Sequence, residues 1–348
     1  MHTFIHGTGV IAPYLPGKDN PLPAPDSQPR LRCIEPDYKQ LIDTRLLRRM
    51  SRVVRMGTAA ALTSMKDACV EMPEAIITAT AYGCTEDTET FLTKMIVQNE
   101  QMLTPTAFIQ STHNTIAGQI ALMLKCHAYN NTFTHRAFSF EHALLDAMLL
   151  LQEGEISNVI LGAVDEMQDT RFKILERFGL YKRAVQQGPW GDPAQRDSPG
   201  TIAGEGATFF VLSTSPPAAS NICIKDVRTF FKPGDMQPNI LAFLAEHHLK
   251  PSDIGLLLWG KNGDARYDGV YDETARGLFD TNPVFSFKRL CGEYPVATAY
   301  ATWLAAFILQ GREMPAGLLP AGLQAPGHVL IYNHFYNIHH SLILLSAC

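Results

Sequence analysis

The chain has 348 residues, a formal net charge of −5, and 46% hydrophobic against 18% charged residues. That length and apolar content supply a sizeable core, in one large domain or two of ordinary size, and exclude a disordered chain. So mild a charge points to neither a nucleic-acid binder nor a membrane-surface protein.

The opening MHTFIHGTGVIAP lacks the basic start and long apolar run of a signal peptide. Apolar runs at 3–5, 75–80, 158–161, 207–212, 254–259, 329–332 and 342–345 read as strands. Several are uninterrupted enough to be central strands covered on both faces. Between them, 45–70 has helical spacing, with Leu46, Met50, Val53, Val54 and Ala61 available for one side. The stretches 140–152 and 295–309 read as helices too apolar to lie on a surface. The longest nearly uncharged apolar stretch, 294–309, is too short to span a bilayer, so no membrane span is expected. Strands alternating with helices give an α/β fold.

The element order repeats loosely. Each half holds a loop followed by a very apolar helix, 136–152 and 291–309, which implies two similar layers packed face to face. Between them 186–201, QQGPWGDPAQRDSPGT, has the Gly, Pro and polar content of a surface loop. The seven cysteines, at 33, 69, 84, 126, 223, 291 and 348, are odd in number and show no spacing suited to zinc. Reduced thiols in a cytoplasmic protein are the simplest reading. No cofactor and no metal is expected.

Five separated stretches, in order along nearly the whole chain, resemble β-ketoacyl synthases. FIHGTGVIAP resembles the family's first strand and its glycine turn, and RLLRRMSRVVRMGTAAALTSMKDA the helix that follows. RDSPGTIAGEGATFFVLS resembles its RDG…GEGA…VL segment, with Gly204, Glu205, Gly206 and Ala207 in place. LKPSDIGLLLWGKNGD and FSFKRLCGEYPVATA resemble the segments that lead to its two catalytic histidines. The resemblance implies a thiolase-like five-layer αβαβα sandwich of two pseudo-repeated halves, residues 1–215 with the cap loops and 216–348, in one compact unit and an obligate dimer.

Decarboxylating condensation needs a thiol to take the acyl chain, helped by the positive end of a helix, and donors to stabilise the enolate. The resemblance places these groups at positions where this chain has other residues. THRAFSFEHALLDAML matches the nucleophile turn: aligned on the turn, Phe138 stands at the cysteine; counted back from Gly154, Ala137 does. Neither forms a thioester. Trp259 stands at the first histidine. Lys288 and Gly292 keep the KxxxGH frame, but Glu293 takes the second histidine's place, where a carboxylate repels the developing negative charge. The family's terminal glycine loop is replaced by NHFYNIHH, in which only Phe335 is matched.

Each candidate residue has a plain structural reading beside the functional one. Phe138 either plugs or lines an acyl tunnel, or fills the space left by the cysteine. His113 and Asn114 sit in a segment resembling the family's NxxAGxIA helix start, where the asparagine is structural. His334, His339 and His340 cluster in sequence without a metal-binding pattern. Cys291 is a stray nucleophile or an inert small hydrophobe. Arg45, Arg48, Arg49, Arg52 and Arg55 form a basic run. Arg45, Arg48 and Arg49 match positions that greet the acidic acyl carrier protein in the family, but a solvated helix face explains them equally.

Relatives without the cysteine and histidines are chain-length factors. HRAFSFEHALLDA and TPTAFIQSTHNTIAGQIAL resemble the short synthase-like subunits of bacterial aryl polyene clusters. The resemblance thus implies a non-catalytic subunit that pairs with an active ketosynthase by strand pairing beside 131–135. Phe108, Phe133, Phe138 and Phe335 would shape the acyl tunnel, and an acyl carrier protein would be a second partner. Two other readings stay open: an active synthase, acyltransferase or decarboxylase with relocated groups such as Cys291 or Glu293, and a carrier-binding scaffold.

Overall fold

The structure, a computed structural model, describes residues 2–17, 20, 22–24, 28–103, 105–182, 198–217, 221–320, 323 and 325–348. Most of the expected loop 186–201 therefore lies outside the described residues.

In chain order the first half comprises β1 (Thr3–Ile11), α1 (Thr44–Leu47), α2 (Arg52–Asp67), β2 (Ala75–Ala79), α3 (Thr85–Val97), α4 (Pro105–Gln110), α5 (Thr115–Leu124), β3 (Tyr129–Phe133), α6 (Ser139–Glu153), β4 (Asn158–Asp165), α7 (Asp169–Arg177) and β5 (Gly206–Ser213). The second comprises β6 (Ile222–Phe231), α8 (Gln237–Glu246), β7 (Leu256–Trp259), α9 (Gly269–Ala275), β8 (Val284–Ser286), α10 (Lys288–Cys291), α11 (Ala297–Leu309), β9 (His328–Phe335) and β10 (His339–Ala347).

The ten strands run in the order β3-β2-β4-β5-β1-β6-β10-β9-β7-β8. β1 is antiparallel to β5 and β5 to β4, while β4 is parallel to β2 and β2 to β3. The second half repeats this pattern strand for strand, from β6 and β10 through β9 and β7 to β8. The halves join where β1 pairs with β6, at Thr3 opposite Ile224 and Phe4 opposite Cys223. The very apolar α6 and α11 pack against strands of both halves and against each other. Their residues, from Phe140 to Leu151 and from Ala297 to Leu309, fill one shared core. α2 and α5 cover the outer face of the first half, and α8 and α9 that of the second. The layers are αβαβα, as expected.

Two local expectations are corrected. The glycines of HGTG make no turn: β1 continues through them, its register with β5 shifting between Ile5 and Gly7, and they let α2 lie directly on the strand. A Cβ on Gly9 would stand 1.9 Å from the carbonyl oxygen of Ala60. The helix expected over 45–70 is broken, with α1 ending at Leu47 and α2 starting at Arg52. Between them Met50 turns inward and is buried, and its carbonyl accepts from Arg55 Nε at 2.9 Å, which stabilises the break. Strand β6 escapes sequence reading because Lys225, Asp226 and Arg228 interrupt its apolar run. Arg228 reaches Asp226 at 3.2 Å and Glu246 at 2.7 Å, so its charge is met at the edge of the layer.

The reading of all cysteines as reduced thiols is corrected at one pair, since Cys223 and Cys348 are joined as a disulfide. Cys33, Cys69, Cys84, Cys126 and Cys291 are free.

A buried polar anchor lies at the head of α2. Arg52 grips the buried carboxylate of Glu205, the acid of the GEGA segment, through Nη1 and Nη2 at 2.7 and 2.6 Å. The backbone amides of Cys33 and Met167 donate to the same carboxylate at 3.0 Å each. Burial pushes the Glu205 carboxyl up, but the Arg52 pair and the two amides outweigh it and hold the group below the usual range. A depressed carboxyl adds stability above its unfolded pKa and loses it as pH falls through the folded value. Arg52→Ala leaves the charge buried and unpaired. It should cost about 3 kcal/mol, the low end for buried pairs because Arg52 is a quarter exposed. Glu205→Gln should flatten the acid limb of stability. Chemical denaturation at neutral and acid pH checks both, and an unchanged acid limb in Glu205→Gln would count against the assignment.

Candidate functional site

The turn from β3 into α6 carries the position that the resemblance assigns to a nucleophile. Arg136 adopts a φ of +61°, and Phe138 is the residue that caps α6. Ala137 and Phe138 are both buried. The hydroxyl of Ser139 donates to the carbonyl of Thr80 at 3.3 Å, pinning the turn to the end of β2. Three imidazoles surround the Phe138 ring: His135 stacked at 5.2 Å, His339 edge-on at 5.0 Å and His142 at 5.5 Å. The helix head thus presents a hydrocarbon ring where a thiolate would be stabilised.

Trp259 ends β7 and is buried against Tyr271 and Tyr332, with ring centroids 5.5 and 6.1 Å away. Its Nε1 has no acceptor among the described residues, and an indole N–H offers no proton-accepting nitrogen. Glu293 is held by its backbone as firmly as by its side chain. Its amide donates to Ile202 O at 2.8 Å and its carbonyl accepts from Gly204 N at 2.9 Å. That crossing needs glycine on both sides: a Cβ on Gly204 would lie 2.0 Å from Cys291 O, and Gly292 has a φ of +74°. The carboxylate accepts from Lys288 Nζ at 2.7 Å and from Asn262 Nδ2 at 2.6 Å. Lys288 is wholly buried, so a charge pair stands where a neutral imidazole is needed to donate to an enolate.

A cavity of about 30 Å³ remains beside this pair. Tyr82, Tyr181, Asn262, Glu293, His334 and Phe335 are among its walls. It accommodates a water molecule, not an acyl chain. Of the four expected tunnel residues, only Phe335 reaches it. Phe138 sits in the imidazole cluster, and Phe133 packs on the shared core from β3. Phe108 lies on α4, 58% exposed, with its ring 5.3 Å from that of Phe91. The expected carrier-docking arginines are at the surface: Arg45 on α1, Arg48 at its end and Arg49 in the break are all exposed.

The histidines near residue 340 divide among three environments. His334 lines the cavity and lies 3.2 Å from Tyr267 O through Nε2. Burial, aided by the charge of Lys288, pushes its pKa down to about 3, so it is neutral. His340 is buried with Nδ1 2.9 Å from Tyr332 Oη, and His339 belongs to the Phe138 cluster. His113 is exposed, and Asn114 begins α5 without a side-chain capping bond. Cys291 is fully buried, its Sγ 3.4 Å from the carbonyl of Gly292. Burial pushes the thiol well up, against the nearby Lys288, which leaves no thiolate for acyl transfer.

One group was missed. Glu141 lies one turn into α6, fully buried, and accepts from Ser341 Oγ on β10 at 2.8 Å. An acid inside so apolar a helix was its visible signal. Burial raises its pKa to about 7 despite that hydrogen bond. A raised carboxyl favours the folded state most below its unfolded pKa, and that support is lost as pH rises through about 7. Glu141→Gln should therefore match the wild type near pH 4 and exceed it in alkali, by roughly 3 kcal/mol at most. Denaturation midpoints across that range decide it. Glu293→Ala removes the carboxylate that meets the buried ammonium of Lys288 and should cost about 3 kcal/mol in the same measurement.

Residues 25–185 match the family described as Beta-ketoacyl synthase, N-terminal domain. No curated protein matches the sequence. Among solved structures, the fold is similar to the ishigamide ketosynthase/chain length factor, with a TM-score of 0.77 at 14% identity over 100% of this chain and 99% of the other. It is similar to the same degree, and over the same shares, to a β-ketoacyl synthase from Burkholderia phymatum STM815. The ketosynthase ApeO in complex with its chain length factor ApeC, from Xenorhabdus doucetiae, gives 0.72 at 16% identity over 100% of this chain and 98% of the other. The chain therefore carries the thiolase-like fold of the ketosynthases and, over residues 25–185, the sequence pattern of their N-terminal domain.

Proposed function

We propose that the chain is a non-catalytic, chain-length-factor-like subunit that pairs with an active ketosynthase and shapes its acyl tunnel. The observation that carries this reading is the chemistry found at two positions that the resemblance assigns to catalysis. A phenylalanine heads α6, and a Lys288–Glu293 ion pair fills the second histidine's place. Neither chemistry can make a thioester or stabilise an enolate. The inert setting of Cys291 removes the best candidate for a relocated nucleophile.

Pairing is supported by what the first half leaves open. β3 is an edge strand with only β2 beside it. Around it Leu122, Tyr129, Leu145 and Leu149 are exposed, the last two one turn apart on α6. On α3 and α4, Leu92, Ile96, Val97, Phe108 and Ile109 are exposed as well. A monomer that leaves this much apolar surface in water is built to be covered. Strand addition at β3 would bring α4 against the partner, so Phe108 is the side chain most suited to enter the partner's tunnel. Phe133, carried on the paired strand, would set its wall. The exposed Arg45, Arg48 and Arg49 suit an acidic carrier protein. On the resemblance of its α4–α6 segment the product class is an aryl polyene, in a cytoplasmic assembly.

Co-expression with a cysteine-bearing ketosynthase encoded beside it should give a co-purifying 1:1 complex whose product is measured by mass. Phe108→Ala should lengthen the product by making room, and Phe108→Trp should shorten it. The isolated chain should take no acyl group from a thioester. A chain that stays a homodimer beside every such synthase, or one that becomes acylated alone, would overturn the reading.

A further inference from the structure

The seam between the halves holds three groups that no part of the condensation chemistry uses. Cys223 lies in the two-residue pairing of β1 with β6, opposite Phe4. Cys348 follows β10 directly, and its amide donates to Asn221 O at 2.6 Å beside the start of β6. His2 precedes β1. Their ligand atoms all lie within 4.8 Å of one another, and among the described residues no other three His, Cys, Asp or Glu side chains gather so closely. Sequence reading could not find the set, because its members are separated by more than a hundred residues and meet only when β1, β6 and β10 align.

We propose that the reduced protein binds one Zn²⁺ here, through the thiolates of Cys223 and Cys348 and the imidazole of His2. Two soft sulfurs and an imidazole are the donor set that zinc takes in tetrahedral sites, with bonds of about 2.3 and 2.0 Å that place the donors roughly 3.7 Å apart. The two sulfurs are bonded to each other in the disulfide and must move apart to that edge on reduction, with the imidazole already within 4.8 Å of both. The fourth position falls to water, since His2 and Cys348 are both exposed. The disulfide and the metal are alternative closures of one site. A dithiol reductant gives its two electrons to the sulfur–sulfur bond, leaving two thiols on the protein and a disulfide on the reductant. Zn²⁺ then displaces the two thiol protons to solvent. Lys225 opposes binding, because its Nζ lies 3.2 Å from His2 Nδ1 and puts an ammonium beside the incoming cation. The site thus ties three strands where β1 of one half pairs with β6 of the other, and its state depends on the redox poise around it.

The probe is Co²⁺, added without oxygen to the full chain after reduction and removal of the reductant. One equivalent should produce the near-ultraviolet thiolate charge-transfer band and the visible bands of a tetrahedral site. Zn²⁺ should then bleach both and raise the melting temperature. The disulfide form of the same protein should show neither, a control that requires no variant to fold. Loss of even an outer partner weakens a metal site about 10–100-fold, so His2→Ala should weaken binding at least about tenfold. Cys223→Ser and Cys348→Ser should abolish the charge-transfer band, and Lys225→Met should tighten binding. Three results would overturn the proposal: no band in the reduced chain, a band that survives both serine substitutions, or a disulfide that dithiols cannot open in the folded protein.

Discussion

The fold turns on Arg52 holding Glu205. Arg52 begins the helix that lies on β1, and Glu205 belongs to the segment that enters β5. Their contact fixes the helix, the central strands and the loop that carries Glu293 as one unit. From Glu205 the chain runs back through Gly204 to the Gly292 crossing, so the position of Glu293 is set by backbone geometry whatever side chain it carries. That frame does not depend on the side chain at 293, and here an ion pair occupies it.

On the proposed reading, three positions are closed by different means. At the head of α6 a hydrocarbon ring packs among imidazoles. At the end of β7 the large ring of Trp259 packs against two tyrosines. At Glu293 a charge is met by Lys288. Burying one charge is expensive and burying a matched, hydrogen-bonded pair much less so. The cavity beside Glu293 is the size of a water molecule, as close packing leaves it.

The legibility of the fold varied with how each element earns its place. Strands buried on both faces, such as β5 and β9, announced themselves as unbroken apolar runs. β6 did not, because its charges pair sideways, and β3 did not, because YNNTF is a polar edge. The break before Arg52 was hidden because the arginines on either side continue a helical spacing, and only the inward turn of Met50 reveals it. Phe138, Trp259 and Glu293 could be singled out because the motifs around them resemble the family's in spacing. The contact of Phe138 with His339, the Ser341 bond to Glu141 and the meeting of His2 with two cysteines were not readable, since each joins segments distant in sequence.

The open edge at β3 also has a consequence for handling the protein. Its five residues include neither proline nor lysine, and no bulge interrupts its register with β2. Those are the devices by which edge strands discourage unwanted pairing. Left uncovered, that edge faces other copies of the chain, so its yield free of aggregates should track the supply of whatever covers β3. On the proposed pairing, dosage of the two chains becomes part of the design, and imbalance between them would show as aggregation rather than as a change in product.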